Sequence, residues 1–187
     1  MDPRIARTRA AVVRAATDLL VEGGPSGVTV DAIVARSGVA KSTIYRHWES
    51  RDEILVSVIE QCIPQLASPP DELAFEPALR RLTTDIVGLL NDPEWTRVLP
   101  ALLLLRNHQY GIADLEEQME QHQDDVLAGV LQRGIDEGKV RPDVDVQQAA
   151  ATLLGPLLLA HLTGKLPVDA RLGDHVVGIV LRTYAPG

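Results

Sequence analysis

The stretch TVDAIVARSGVAKSTIYRHW, Thr29 to Trp48, decides how the rest of the chain is read. At about 100° per residue, Val30, Ile33, Val34 and Ser37 fall on one side of a first helix. Thr29 is a good N-cap, because its hydroxyl can accept from a free backbone N–H, and Asp31 suits the positive helix start. Gly38 stands where that helix must stop, and Val39 reads as the plug that packs the turn. A second helix is predicted from about Lys41 to His47. Ile44 and Trp48, four apart, should point inward, while Ser42 and Arg46 project on nearly the opposite side with Thr43 beside them. Tyr45 and His47 fall on the flanks. Two facing apolar sets around a glycine turn, with a polar ridge, make a helix-turn-helix, the motif that lays its second helix in the major groove of DNA. The ridge would meet base edges and the shoulders would meet phosphates. The alternative is an ordinary helical hairpin with a solvated polar face.

Outside that stretch, more residues join the pattern. Ala15-Ala16, Leu19-Leu20, Glu22-Gly23, Val28-Thr29-Val30, Ile33 with Ala35-Arg36, Gly38-Val39-Ala40, Thr43-Ile-Tyr45, His47-Trp48, Ser50-Arg51 and Ile54-Leu55 together resemble the N-terminal domain of the TetR family of bacterial transcriptional regulators. The resemblance implies phosphate contacts from Thr43, Tyr45, His47 and Arg51, and base contacts from Lys41 and Ser42. Arg46 can serve either role, and Thr29 is counted with this DNA-binding set. Trp48 stands where the family usually has Phe, and Arg51 where it usually has Lys.

The formal charge of −8 taken whole argues against a polyanionic partner, but its distribution answers this. Residues 1–51 hold 8 Lys and Arg against 5 Asp and Glu, whereas the remainder holds 10 against 21. The acidic part should stay off DNA and limit non-specific adhesion. Arg4, Arg7, Arg9 and Arg14 form either a basic arm along the duplex or a solvated helix face. Cys62 is the only cysteine, which rules out an internal disulfide. The opening Met-Asp-Pro-Arg has no apolar signal core, and the apolar run 149–162 is interrupted by Gly155-Pro156 and too short to span a bilayer. A cytoplasmic protein with no membrane partner is expected.

The fold class expected is all-α, with a three-helix DNA-binding domain over 1–50 and a helical bundle for ligand binding and dimerisation over 51–187. The first helix should span about Arg4 to Glu22 and end at Gly23-Gly24-Pro25. Another opens near Arg51 and carries Ile54, Leu55, Val58, Ile59 and Cys62. Prolines at 64, 69, 70 and 77 mark a connection. Further helices are predicted over about 77–90, 93–107 with a kink at Pro100, 112–137, 146–163 and 169–184.

The last two helices are apolar on most of their circumference. Ala149, Leu153, Leu157 and Ala160 form a stripe widened by Leu154, Leu158 and His161, and Val176, Val177, Ile179, Val180 and Leu181 crowd the final helix. Two such helices suggest a homodimer seam closing as a four-helix bundle, the alternative being a monomer core. The segment Val130-Leu-Gln-Arg-Gly-Ile-Asp-Glu-Gly-Lys-Val-Arg-Pro-Asp143 and Gly155-Pro-Leu157 resemble, more weakly, the family's C-terminal domain. That resemblance implies a bundle with a small-molecule pocket. Candidates for effector contact are Trp95, Leu99, Leu102, Leu103, Arg106, His108, Tyr110, Met119 and His122, each of which also suits a plain core or surface role.

Three functions compete on these features. A small-molecule-responsive repressor would bind a pseudo-palindromic double-stranded operator as a dimer. A DNA-binding dimer without an effector is the second. A helical-bundle metalloenzyme is the third, but no histidine has Glu three residues before it, and His-Glu-x-x-His, Gly-x-Ser-x-Gly and phosphate-loop motifs are absent from the sequence. No catalytic residue, metal or cofactor is expected.

Overall fold

In a computed structural model, the backbone is described for residues 3–62, 66–106 and 113–186, and side chains for 5–62, 66–100 and 125–186. The described residues form helices and no strand. They are α1 (Pro3–Gly27), α2 (Val30–Ser37), α3 (Lys41–Tyr45), α4 (Arg51–Cys62), α5 (Phe75–Leu90), α6 (Pro93–Arg106), α7 (Ala113–Asp136), α8 (Val146–Thr163) and α9 (Ala170–Thr183). They divide into two compact units. One comprises Met1–Pro64 with Pro93–Glu117, and the other Gln65–Asp92 with Gln118–Gly187.

In the first unit α1 is the hub, packing against α2, α4 and α6. Its apolar stripe Val12, Val13, Ala16 and Leu20 is buried with Val28, Ile33, Ile54, Leu55 and Val58. Burying side chains of this kind contributes about 1.5–3 kcal/mol each. The regular turns of α1 break at Gly24 (φ 65°, ψ −170°), close to the predicted stop, and a last turn from Pro25 carries the element to Gly27. Arg97 on α6 reaches Asp18 on α1 at 2.9 Å. α6 continues through Pro100 as one helix. Because α1 is helical from Pro3, the N-terminal arginines sit along a helix rather than on an extended arm.

In the second unit α5, α8 and α9 pack on one another. α5 begins at Phe75, two residues before the predicted Pro77. Phe75 is buried, and the Glu137 carboxylate, 62 positions away, accepts its N–H at 2.7 Å. Pro77 then occupies the first turn, where a missing N–H costs little. Asp145 and Asp169 cap α8 and α9 by accepting from the N–H groups of Gln148 and Leu172.

The segment 130–143 is the architectural knot of this unit. Arg133 donates to the carbonyls of Pro69, Pro70 and Leu73 and pairs with Asp71 at 2.9 Å. Gly134 lies so close to Phe75 and Val140 that a Cβ there would stand 2.5 Å from Val140 Cγ2 and 2.9 Å from the Phe75 ring. Arg141 donates its N–H to the Tyr184 carbonyl and lays its guanidinium over the Tyr184 ring.

Candidate nucleic-acid interface

α2 is fixed at both ends by its own residues. The Thr29 hydroxyl accepts from Ala32 N–H at 3.1 Å, and Gly38, at φ 69°, sends its N–H to the Val34 carbonyl. A side chain at that left-handed position would be strained, so glycine makes the stop. Ser37, expected only on the inner face, also accepts from Val39 N–H at 3.1 Å and thereby closes the turn. Ile33 is buried on the inner side, and Arg36 forks onto the Glu22 carboxylate at 2.8 and 2.7 Å, tying α2 to α1. That bond holds the Glu22 carboxyl below its ordinary range, and the charge of Arg36 adds to the effect.

α3 has only five residues, too few for a helix to persist on its own. Tertiary anchors must hold it. Ile44 and Trp48 are both buried. The Trp48 indole N–H donates to Ser57 on α4 at 2.9 Å. The Arg9 guanidinium of α1 lies 5.5 Å from the centre of the Trp48 ring, and His47 meets that ring edge-on. α3 ends at Tyr45, earlier than the predicted His47, with Arg46 as its C-cap and the N–H groups of His47 and Trp48 both turned to the Ile44 carbonyl. The enlarged plug at Trp48 thus anchors the turn that follows the helix.

On the other side, Lys41, Ser42, Tyr45 and Arg46 are exposed, and Thr43 and His47 are half-buried. Tyr45 keeps half of its surface in solvent, unusual for an aromatic side chain beside a core. The structure therefore brings together on one exposed crest the Lys, Ser, Tyr and Arg singled out in the sequence. Thr29 is exposed at the start of α2 with its hydroxyl used as a cap.

Arg51 is placed differently from the others. It is half-buried at the first residue of α4, with Nε donating to the Val28 carbonyl at 2.5 Å and Nη2 to the Pro25 carbonyl. Its remaining nitrogen meets Asp52 at 3.4 Å. The guanidinium thus ties α4 to the last turn of α1 and to Val28 just beyond it. Ser50 Oγ accepts from Glu53 N–H and Glu53 accepts from Glu49 N–H, close to a capping box. The Ser50-x-x-Glu53 spacing carried that signal in the sequence.

Of the effector candidates, Leu99 is buried and Trp95 half-buried on α6. The side chains of Leu102, Leu103, Arg106, Met119 and His122, and all of His108 and Tyr110, lie outside the described residues. Cys62 is half-buried beside Thr17, and burial pushes its thiol up. Among the described residues no helix is long and apolar enough to cross a membrane.

The family model for bacterial regulatory proteins of the tetR family matches residues 12–58, and that for the tetracyclin repressor-like C-terminal domain matches 69–180. The Bacillus subtilis protein called uncharacterized HTH-type transcriptional regulator YdeS is 27% identical over 184 residues, which cover 94% of this chain and 89% of YdeS. Among solved structures, the SmeT–triclosan complex aligns with TM-score 0.74 at 22% identity, over 96% of this chain and 92% of SmeT. SmeT is the repressor of the Stenotrophomonas maltophilia multidrug efflux pump SmeDEF. Bacillus subtilis FadR in complex with stearoyl-CoA aligns with TM-score 0.70 at 20% identity, over 92% and 97% of the two chains. At these identities the structural likeness speaks for the fold alone.

Proposed function

The chain belongs to the TetR family of bacterial regulatory proteins and is a DNA-binding transcriptional regulator, and from that premise we propose that it is a repressor working as a homodimer on a pseudo-palindromic operator, released by a small molecule. The observation that supports the DNA contact most is the α3 crest. Its polar residues are exposed while Ile44 and Trp48 hold it from behind. In this proposal Lys41 and Ser42 meet base edges, Thr43, Tyr45 and His47 meet phosphates, and Arg46 takes either. Thr29 and Arg51 act on the frame, one by capping α2 and the other by fixing the segment beneath it.

A dimer is supported by the outer face of α8. Ala149, Leu153, Leu157 and Ala160 are buried within the unit, yet Leu159 and Leu162 on the same helix are 64% and 48% exposed. Ala151 and Gly155 are exposed at helical spacing from them, a strip small enough for a second copy's helix to approach. Two recognition helices about 34–36 Å apart would then enter successive major grooves. An effector acts by preferring the state that cannot span them, and a clear switch needs a preference on the order of 10³–10⁴. SmeT and FadR, with the same fold, were solved with triclosan and stearoyl-CoA, which supports a small-molecule effector here. Such a regulator works in the cytoplasm.

The test is binding of the purified protein to DNA flanking its own gene. Sequence-selective binding is expected, and binding equal to that of unrelated DNA would end the proposal. Leu159→Asp should shift the protein to a monomer in sedimentation, and an unchanged dimer would move the seam elsewhere.

A further inference from the structure

The first residue of the crest already has a partner. Lys41 Nζ lies 2.7 Å from Asp31 Oδ1, linking the first turn of α3 to the first turn of α2 across the motif. Both groups stand in solvent, with 51% and 80% of their side chains exposed. The bond and the charge of Asp31 together raise the Lys41 ammonium above its ordinary range. Exposed pairs of this kind contribute little to folding, and although Asp31 suits the positive start of α2, that role does not require it to hold Lys41.

We propose that Asp31 is a specificity-determining residue that withholds Lys41 from non-cognate DNA: Lys41 leaves Asp31 only for a duplex whose base acceptors at that position outcompete a carboxylate. The inference rests on the DNA-binding role proposed above. A lysine freed onto a phosphate gains one released counterion, but it must abandon Asp31 and leave that carboxylate facing the backbone. On mixed-sequence DNA the exchange is close to neutral, so Lys41 stays home and adds nothing. On a cognate site, the paired acceptors of a guanine edge give the ammonium a better partner, and the exchange proceeds. The pair therefore subtracts from non-specific binding more than from specific binding.

The full-length protein is compared with D31N, K41M, the double variant and E49Q, the last removing an exposed carboxylate of the same domain. Fluorescence anisotropy is read against salt on two probes, a mixed-sequence duplex and a duplex selected by the protein from a random pool. D31N should tighten mixed-sequence binding roughly two- to fivefold and steepen its salt slope by about one. The selected duplex should gain less, so the ratio of the two affinities falls. The steepened slope should vanish in the K41M background, where there is no lysine to release, and E49Q should not reproduce it. Unchanged mixed-sequence binding in D31N would overturn the inference, as would an equal gain on both probes or a steepened slope that survives K41M. Loss on the selected duplex alone would make Asp31 a direct contact and overturn it too. A wild-type protein that cannot tell the two duplexes apart would instead bring down the DNA-binding proposal itself.

Discussion

Replacing Arg51 separates two roles that the sequence alone runs together. A phosphate-holding arginine and a frame-holding arginine fail differently when removed. In the structure the guanidinium donates to the Val28 and Pro25 carbonyls, and the side chain is 27% exposed. Hydrogen bonds involving a charged group contribute about 1.5–3 kcal/mol each. Halving this for partial solvation leaves about 2 kcal/mol for the pair. For a chain of this size that is roughly 4–8 °C in Tm. Arg51→Met, which keeps the aliphatic stem, should lose that much in thermal unfolding followed by circular dichroism. Arg51→Lys should lose nearly as much, since a single ammonium cannot reproduce the fork across two carbonyls. In DNA titrations against salt, the slope should stay as in wild type for both variants, because no phosphate contact has been removed. Arg51→Met unfolding within about 1 °C of wild type, together with a salt slope shallower by about one, would refute the reasoning and return Arg51 to the phosphates.

Other perturbations test neighbouring parts. Tyr45→Phe should weaken binding to every DNA sequence by a similar factor, whereas Lys41→Ala should change which bases are preferred, both read from binding-site selection. Gly134→Val should destabilise by about 1–3 kcal/mol in urea unfolding, because its first atom already overlaps Val140 and the Phe75 ring. The Glu22 carboxyl, held low by Arg36, stabilises the α1–α2 contact above its unfolded value near 4.5 and loses that effect as pH falls through its lower folded value. The stability gap between wild type and Glu22→Gln should therefore be present at neutral pH and narrow as the solution is acidified, with a gap that does not change on acidification counting against the pair.

What the sequence made legible was local. Thr29 and Gly38 act within one turn of their own position, so capping rules reach them, and the helical period alone turns Ile44 and Trp48 inward. The same holds for α8 and α9, whose limits follow from Asp145, Asp169 and the apolar runs between. What stayed hidden depends on partners far along the chain. Nothing near Phe75 announces that Glu137 will cap it, and nothing near Arg51 announces the carbonyls of Pro25 and Val28. The motif around Gly134 was visible as a pattern, but its reason lies in Phe75, Val140 and the connector held by Arg133. At the candidate interface, residue types and spacing revealed which side chains share the crest. The Lys41–Asp31 bond across the turn needed coordinates.

The central claim is that the α3 crest reads DNA in a two-fold arrangement. Selecting bound fragments from a random duplex pool, with wild type and a crest variant in parallel, tests it directly. The expected consensus has two inverted half-sites about one helical turn apart, and Lys41→Ala should alter the same position in each half. A pool that fails to enrich, or a consensus with no inverted symmetry and no response to the crest variant, would contradict it.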